Sequence, residues 1–396
     1  MPPHRPIPQP LSVLPSSLPP PAHSPPTPFR PQKHKSNASA CGYTNSSPVF
    51  DAYTSNTGLL TAQKGDSGAV LDSSLNNSDD KYIAFFTASD ASPLKRAEWV
   101  KVIGSLLNLD QAAYSYFSSE SKKYESIKAE AQVTRSQNRI KIAFINHNAP
   151  YVSPGWTSPG YYEINLVDFK RAYVEDAGAI FPEPATSSFW SGTGGTASAT
   201  GSGIQWTYNT DAERAVAADK MIGTLLTWGA DVVIDETYSK TPATFDLTEF
   251  YKTFCLQGNA TCEGANAAAN RAAARFLRSP GAVVRNDRIV SAFDPAALGW
   301  FESNIARPTQ FLADLLRFSG SNSSLARQSF LRDLTKGEGV STLQTNQCVF
   351  PLTQCCKTGD ADCSKPTVQN TDKNTAGAQC LAWGTAAAAA LLLTAA

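Results

Sequence analysis

The chain has 396 residues, with 34 lysines and arginines against 34 aspartates and glutamates. This length supports one or two domains with substantial cores, and the balanced charge excludes a strong field that would attract nucleic acid or anionic lipid. Charged residues make up only 17% of the chain. Alanine, serine and threonine are plentiful, as on secreted and glycosylated surfaces.

The amino-terminal region is rich in proline. Residues 1–34 hold half of the 26 prolines and contain no long apolar run. We therefore predict that residues 1–40 form a disordered tail. The tail is not a signal peptide, so we expect that the true first exon, with its entry signal, is missing from this sequence. Further on, Tyr82–Phe86 is typical of a short buried strand.

Residues 93–135 carry the longest helical pattern of the chain. Pro93 follows Ser92, a pair that is typical of a helix start. Asp110 can begin a second segment, whose apolar residues recur at spacings of three, four and seven. Those residues are Ala113, Phe117, Tyr124, Ile127 and Ala131. The pattern predicts either a helical hairpin or a stiff rod of about 55–60 Å between two bodies, and we favour the rod because an α/β pattern follows it.

Beyond residue 136 short apolar runs alternate with amphipathic segments. This alternation predicts an α/β fold in which helices cover a parallel sheet. The predicted strands are residues 141–146, residues 231–234 and a hairpin over residues 282–292. The predicted helices cover residues 166–178, 211–229, 247–254, 263–278 and 299–318. Residues 186–205, rich in glycine, serine and threonine, are expected to be a flexible surface excursion.

Ligands of such sheets lie beyond the carboxyl ends of the strands. There the sequence places His147 and Asn148 after one predicted strand, and Asp235, Glu236 and Tyr238 after the next. A predicted loop after the first strand adds four aromatic side chains, Tyr151, Trp156, Tyr161 and Tyr162. Adjacent residues of an extended chain point to opposite faces, so at most one of Asp235 and Glu236 can face a ligand.

The cysteines and the glycosylation sequons favour the secretory route. None of the eight cysteines has CxxC spacing, which favours disulfides over zinc. Candidates for disulfides are Cys255, Cys262, Cys348, Cys355, Cys356 and Cys363, most of them in a Cys-rich segment over residues 336–373. Sequons begin at Asn37, Asn45, Asn76, Asn259 and Asn322.

Residues 374–396 combine small residues from Asn374 onward, a short spacer and an apolar end without a basic flank. This is the pattern of a glycosylphosphatidylinositol signal, with Asn374 as the candidate attachment residue. The alternative is an alanine-rich terminus without a role. The expected location is therefore extracellular, at the cell surface.

Several segments resemble one family. They include PLKRAEWVKVIGSLLN at residue 93, VVIDETY at residue 232 and VVRNDRIVSAFDPAALGWFESNIARPTQFLADLL at residue 283. The chain resembles the eukaryotic, largely fungal, relatives of class III periplasmic binding proteins, which are similar to the substrate-binding components of importers for siderophores, haem, cobalamin and metal ions.

The resemblance implies two Rossmann-like α/β lobes, bridged by a long helix, with the ligand between them. Residues 93–135 would then be the connecting stretch, and residues 136–335 the second lobe. The remaining residues 41–92 are too few for a complete lobe, which needs on the order of 100 residues. The resemblance therefore implies an incomplete first lobe.

The residues at the predicted cleft favour an organic ligand over a bare metal ion. A zinc or manganese site needs three or four ligands, yet His147 is the one histidine beyond residue 34. The aromatic side chains, with Trp300 and Glu302 in addition, suit a flat or chelated ligand. Structural roles stay open: Trp300 as a core residue, Glu302 as a helix cap and His147 as a strand-end residue.

The function predicted from the sequence is non-catalytic binding of a chelated metal or similar organic ligand, such as a siderophore, haem or a corrinoid. No cofactor is expected. Uptake of the ligand would require a membrane transporter as a partner. The alternatives are a secreted hydrolase that uses Asp235 or Glu236 with His147, although no nucleophile and base stand at a recognisable spacing, and an inert cell-surface glycoprotein.

Overall fold

The computed structural model describes fewer residues than the sequence contains. The described residues are 70–72, 82–84, 87, 90–134, 139–153, 156–257, 262, 266–291, 300, 304–320 and 323–343. The predicted proline-rich tail, all five sequons, the lipid-anchor candidate Asn374 and four of the six disulfide candidates lie outside them. Among the described helices, none is long and apolar enough to cross a membrane.

The predicted helical stretch is helical, but it is not one rod. It contains α1 (Pro93–Glu98), α2 (Val100–Leu106) and α3 (Asp110–Thr134). Ser92 caps α1 as predicted, since its side chain accepts a hydrogen bond from the Lys95 backbone N–H. The chain turns at Asn108, whose φ is +58°, a left-handed value that asparagine tolerates better than most residues.

Helix α2 folds back along the first turns of α3. The Lys101 ammonium lies 4.2 Å from the centre of the Phe117 ring, whereas a continuous helix would separate these residues by about 24 Å. A Cβ on Gly104 would lie 2.3 Å from the Ala113 Cβ, so the contact between the two helices requires glycine. This part of the chain therefore forms the helical hairpin, which was the less favoured of the two predictions from the sequence.

The apolar stripe predicted for α3 is confirmed. Four of its five members, Ala113, Tyr124, Ile127 and Ala131, are buried, and the fifth, Phe117, is half-buried. Along α3 the Tyr116 hydroxyl donates to the Ala306 carbonyl at 2.6 Å. Further along, the Thr309 backbone N–H donates to Glu120 Oε1 at 3.1 Å. These bonds attach α3 to the segment that begins helix α8 (Pro308–Leu316).

The predicted α/β body is built on one seven-stranded sheet with the order β12-β10-β9-β3-β6-β8-β7. Its strands are β3 (Ile142–Asn148), β6 (Gly160–Asn165), β7 (Thr196–Ala197), β8 (Gly203–Tyr208), β9 (Val232–Asp235), β10 (Ala282–Arg285) and β12 (Arg332–Asp333). Only two of its pairings, β3 with β9 and β9 with β10, are parallel. The remaining pairings are antiparallel. The sheet is therefore mixed, whereas the sequence predicted a parallel sheet.

Six further described strands form two-stranded ladders outside this sheet. They are β1 (Val70–Asp72) with β2 (Tyr82–Ala84), β4 (Tyr151–Ser153) with β5 (Trp156–Ser158), and β11 (Ile289–Ser291) with β13 (Ser341–Leu343). Strand β2 confirms the start of the strand predicted at Tyr82–Phe86.

Three local predictions are wrong, each because strand pairing is a non-local property. The aromatic loop is the β4–β5 hairpin followed by strand β6. The excursion over residues 186–205 contains β7 and the start of β8, and the Gly203 N–H donates to Ser198 Oγ at 3.1 Å. The hairpin over residues 282–292 does not form: β10 pairs with β9 and β12, while β11 pairs with β13.

Helices cover both faces of the sheet. They are α4 (Asp168–Asp176), α5 (Asp211–Trp228), α6 (Leu247–Thr253), α7 (Ala267–Ala273) and α8. The predicted end of α5 is confirmed, since Gly229 adopts a left-handed φ of +79°. The helix begins at Asp211 as predicted, and the residue that caps its amino terminus is Thr210. Helix α7 is shorter than the predicted 263–278, with a 3₁₀ turn at Arg275–Leu277.

The core includes two features that the sequence analysis left open. Trp300 is 4% exposed, and its ring centre lies 4.1 Å from that of Phe311 on α8. Cys255 and Cys262, two of the disulfide candidates, are bonded to each other and buried next to α6.

Candidate functional site

The parallel strands β3, β9 and β10 end at one edge of the sheet, here called the carboxyl edge. It consists of residues 146–148, 235–237 and 285–287. After β3 the chain leads to β6 on one side, and after β9 it leads to β10 on the other. Open α/β sheets bind ligands where neighbouring strands lead to opposite sides of the sheet, and in this sheet that rule points to the position between the ends of β3 and β9.

Neighbouring side chains at this edge point to opposite faces of the sheet. On the α4 face, Lys170 of α4 forms an ion pair with Glu236. On the α5 face, Arg214 of α5 donates from Nε to the Tyr162 hydroxyl at 3.0 Å. The pairing of His147 with Tyr162 across β3 and β6 places His147 on this second face.

The α4 face carries the polar cluster, which we define as Asn146, Glu163, Lys170, Glu236 and Asn286. Asn146 and Glu163 are cross-strand partners in β3 and β6. Asn286 Nδ2 donates to Glu236 Oε1 at 3.4 Å. Glu163, Lys170 and Asn286 are 5%, 6% and 1% exposed, so almost all of the cluster is removed from solvent.

Three acceptor oxygens of the polar cluster lack a hydrogen-bond partner among the described residues. Within the described part of the chain, Asn146 Oδ1, Glu163 Oε1 and Asn286 Oδ1 are buried and accept no hydrogen bond. Burial raises the pKa of Glu163, although hydrogen bonds with the Asn146 and Gln205 side chains and the charge of Lys170 counteract this. A buried acceptor without a partner costs about 1–3 kcal/mol. The cluster is therefore suited to a group that brings hydrogen-bond donors.

On the α5 face, His147 has a hydrogen-bond partner for its ring and another for its backbone. Its Nε2 lies 2.6 Å from the Tyr208 hydroxyl, and its backbone N–H donates to Thr237 Oγ1 at 3.0 Å. Burial, followed by the charge of Arg214, lowers the pKa of His147 to about 3. The imidazole is therefore neutral at neutral pH.

The same face contains a balanced network of buried charges. Asp235 forms an ion pair with Arg285, which also pairs with Asp287 at 2.6 Å. Arg332 pairs with Asp287 at 2.5 Å. Burial lowers the pKa of Arg285, but Asp235 and Asp287 outweigh it, and the pKa is raised overall. Two arginines and two aspartates thus neutralise each other. The network links the ends of β9 and β10 to β12, which is a structural role.

Some predicted site residues lie near the polar cluster. Glu236 belongs to it, and Asn148 and Tyr161 form the next cross-strand pair along β3 and β6, where both are half-buried. Tyr151 in β4 and Tyr238 after β9 are 54% and 62% exposed.

Other predicted site residues lie elsewhere. His147, Tyr162 and Asp235 belong to the α5 face. Trp300 packs in the core. The backbone of Trp156 lies in strand β5, and Glu302 lies outside the described residues.

The sequence analysis missed four members of the polar cluster: Asn146, Glu163, Lys170 and Asn286. Asn146 lies inside an apolar strand, and Glu163 interrupts the run YYEIN in the same way. A polar residue inside an apolar run was the available signal, because a buried charged or amide side chain needs partners. Asn286 lies in the middle of the hairpin predicted over residues 282–292, which does not form.

The hydrolase alternative requires His147 next to a free carboxylate. Glu236 lies on the other face of the sheet, bonded to Lys170. Asp235 is fully buried and bonded to Arg285. Both carboxylates are therefore already paired with cations, and neither is free to act with His147.

The described residues give little support to two other kinds of site, a metal site and a second pocket. Among the described residues, no group of three or more histidine, cysteine or carboxylate side chains could hold a metal ion. An open pocket of about 520 Å³ lies at the opposite edge of the sheet, near Gln132, Arg139 and Asp176. Two of its charged residues are bonded, since Arg139 donates to the Gly178 carbonyl at 3.2 Å and Asp176 pairs with Lys128 at 2.9 Å.

Comparisons with known proteins add one observation. No protein-family model matches the chain, and the comparison with curated proteins finds no match. Among solved structures, the chain is similar to a possible iron-binding, periplasmic solute-binding protein from Staphylococcus epidermidis. The two share 12% sequence identity with a TM-score of 0.33, and the match covers 65% of this chain and 78% of the other.

Proposed function

We propose that this chain is a non-catalytic, extracellular protein that binds a small organic ligand at the carboxyl edge of its sheet. The observation that carries the proposal is the polar cluster, in which three buried oxygens at or next to the carboxyl edge have no partner among the described residues. Buried polar groups in native proteins normally find partners, so unpaired oxygens at the usual position of an α/β ligand favour a ligand that completes them.

The surroundings of the cluster suit a flat or chelated molecule. Tyr161 is half-buried, and Tyr151 and Tyr238 are more than half exposed. All three are close in sequence to residues of the carboxyl edge. Aromatic rings beside a few polar groups favour stacking with selective hydrogen bonds. A ferric siderophore, haem or a corrinoid meets this description, and we propose this class as the ligand.

The complete protein in this proposal has further parts. Residues 41–92 contribute to a first lobe that closes over the ligand, and a lipid attached at Asn374 holds the protein at the cell surface. A membrane transporter takes up the ligand, since a binding protein alone moves nothing across a membrane.

The test is a titration of the purified protein with ferric siderophores, haem and corrinoids, followed by tryptophan fluorescence. We expect one class to quench saturably and mass spectrometry to recover the ligand unchanged. Asn148→Ala, at the carboxyl edge, should bind about tenfold more weakly. Gln132→Ala, at the pocket on the opposite edge, is the matched control and should bind like the wild type. Chemical turnover of a ligand, or no quenching by any class, would contradict the proposal.

A further inference from the structure

Arg96 of α1 is a buried cation without a carboxylate in contact with it. It is 8% exposed, and its Nε–H donates to the Thr87 carbonyl at 2.8 Å. A guanidinium has five N–H donors. In the described part of the chain, the four donors on the terminal nitrogens of Arg96 form no hydrogen bond or ion pair. Burying a charge without a partner is costly, so these donors favour an anionic group that pairs with them.

The acidic residues near Arg96 are bonded to other groups. The charges of Asp90 and Glu236 both act on the guanidinium. Asp90, however, accepts a hydrogen bond from the Trp99 indole N–H at 2.6 Å, and Glu236 is bonded to Lys170. Burial lowers the pKa of Arg96 more than the nearby acidic groups raise it, which shows that their charges do not fully compensate for the lost solvent.

Arg96 lies beside the polar cluster. Its guanidinium carbon is 3.7 Å from the centre of the Phe169 ring, and the Lys170 ammonium is 5.8 Å from the centre of the same ring. Stacking on an aromatic ring holds the plane of a guanidinium in one orientation. Unlike the three oxygens of the polar cluster, the terminal nitrogens of Arg96 are not completely buried, so a ligand at the carboxyl edge can reach them.

We propose that Arg96 binds a carboxylate group of the ligand. This inference rests on the proposed function and names a chemical group that the ligand carries. The planar fork of a guanidinium matches the two oxygens of a carboxylate, and the resulting hydrogen bonds are charge-assisted. The inference divides the proposed ligands into two kinds. Haem and ferric citrate carry carboxylates, whereas a ferric trihydroxamate and cyanocobalamin carry none, and we expect the first two to be preferred.

The experiment compares haem with haem dimethyl ester, in which the carboxylates are blocked, by tryptophan fluorescence of the full chain. We expect haem to bind about tenfold more tightly than the ester, and ferric citrate to bind more tightly than a ferric trihydroxamate. In Arg96→Gln both preferences should disappear. The matched control is Arg171→Gln, which removes a guanidinium 4.9 Å from the Phe181 ring at the opposite edge of the sheet. It should keep the wild-type preferences.

Two results would overturn the inference. The first is that the wild type prefers neither haem over its ester nor ferric citrate over the trihydroxamate. This comparison needs no variant, so it decides the question even if Arg96→Gln does not fold. The second is that folded Arg96→Gln keeps the wild-type preferences, which would mean that another group binds the carboxylate.

A small carboxylate separates this inference from the proposed function. Benzoate should raise the unfolding temperature of the wild type and of Arg171→Gln, but not that of Arg96→Gln. If no chelate binds while benzoate acts in this way, the proposed ligand class fails and the carboxylate site remains. If chelates bind but show no preference for carboxylates, only the assignment of Arg96 fails.

Discussion

The two faces of the sheet both bury polar side chains at the carboxyl edge, but they differ in how completely those groups are bonded. On the α5 face, His147 is bonded to Tyr208, and two arginines neutralise two aspartates. On the α4 face, three oxygens have no partner among the described residues. Fully bonded groups stabilise the fold by themselves, whereas unpaired groups cost stability that a ligand can restore. The comparison therefore separates a structural face from a binding face.

The largest effect should come from breaking the structural face. Arg285→Met leaves Asp235 and Asp287 buried with fewer partners, and we expect a loss of about 3–5 kcal/mol in the free energy of unfolding. Arg275→Met is the matched control, because its ion pair with Asp231 involves a side chain that is 61% exposed. Because Arg275 is solvated and the buried Asp231 keeps its hydrogen bond from the Lys141 N–H, we expect a loss of about 1 kcal/mol. Urea denaturation measures both, and equal losses would contradict the assignment of a structural network.

A smaller effect is expected from protonation of His147 on the same face. A base whose pKa is lowered by folding, here from 6.5 to about 3, binds fewer protons in the folded than in the unfolded state. Stability is therefore full above pH 6.5 and is lost as the pH falls towards 3. Between pH 7 and pH 5 the loss should be about 2 kcal/mol.

The measurement for His147 is urea denaturation at both pH values, for the wild type and for His147→Gln. The variant lacks the titrating group, so its stability should change less between pH 7 and pH 5. The same pH dependence in both proteins would show that His147 is protonated without cost.

The smallest effect is expected on the binding face, and with the opposite sign. Glu163→Gln removes a buried, unpaired charge, so we expect the ligand-free protein to gain about 1 kcal/mol. Because the pKa of Glu163 is raised in the fold, the wild type should regain stability as the pH falls through that value, and the variant should not. In the control Glu120→Gln, a carboxylate that accepts from the Thr309 N–H becomes neutral, and stability should fall. A loss in Glu163→Gln would mean that the charge of Glu163 is structural.

The parts of the fold that depend on neighbouring residues could be predicted from the sequence. The cap at Ser92, the end of α5 at Gly229 and the buried strands β3 and β9 are all confirmed. Each follows from capping chemistry or from an apolar run within a few positions. The position of the site at the carboxyl ends of the strands stays a prediction that the proposed titrations test.

The parts that depend on strand register could not be predicted. Asn146 meets Glu163 only because β6 returns antiparallel to β3, and no local pattern reveals that pairing. For the same reason the hairpin expected around Asn286 does not form. Similarly, no pattern within the stretch distinguishes a continuous rod from a turn at Asn108, since asparagine also occurs within helices.

The attachment of α3 has a consequence for any closing motion. Helix α3 is bonded to the start of α8 through Tyr116 and Glu120. Helix α2 packs on α3, and α1 packs beside α4 and α8. A hinge within these three helices would therefore have to break these contacts, so the helices that the sequence suggested as a bridge are anchored to the α/β body.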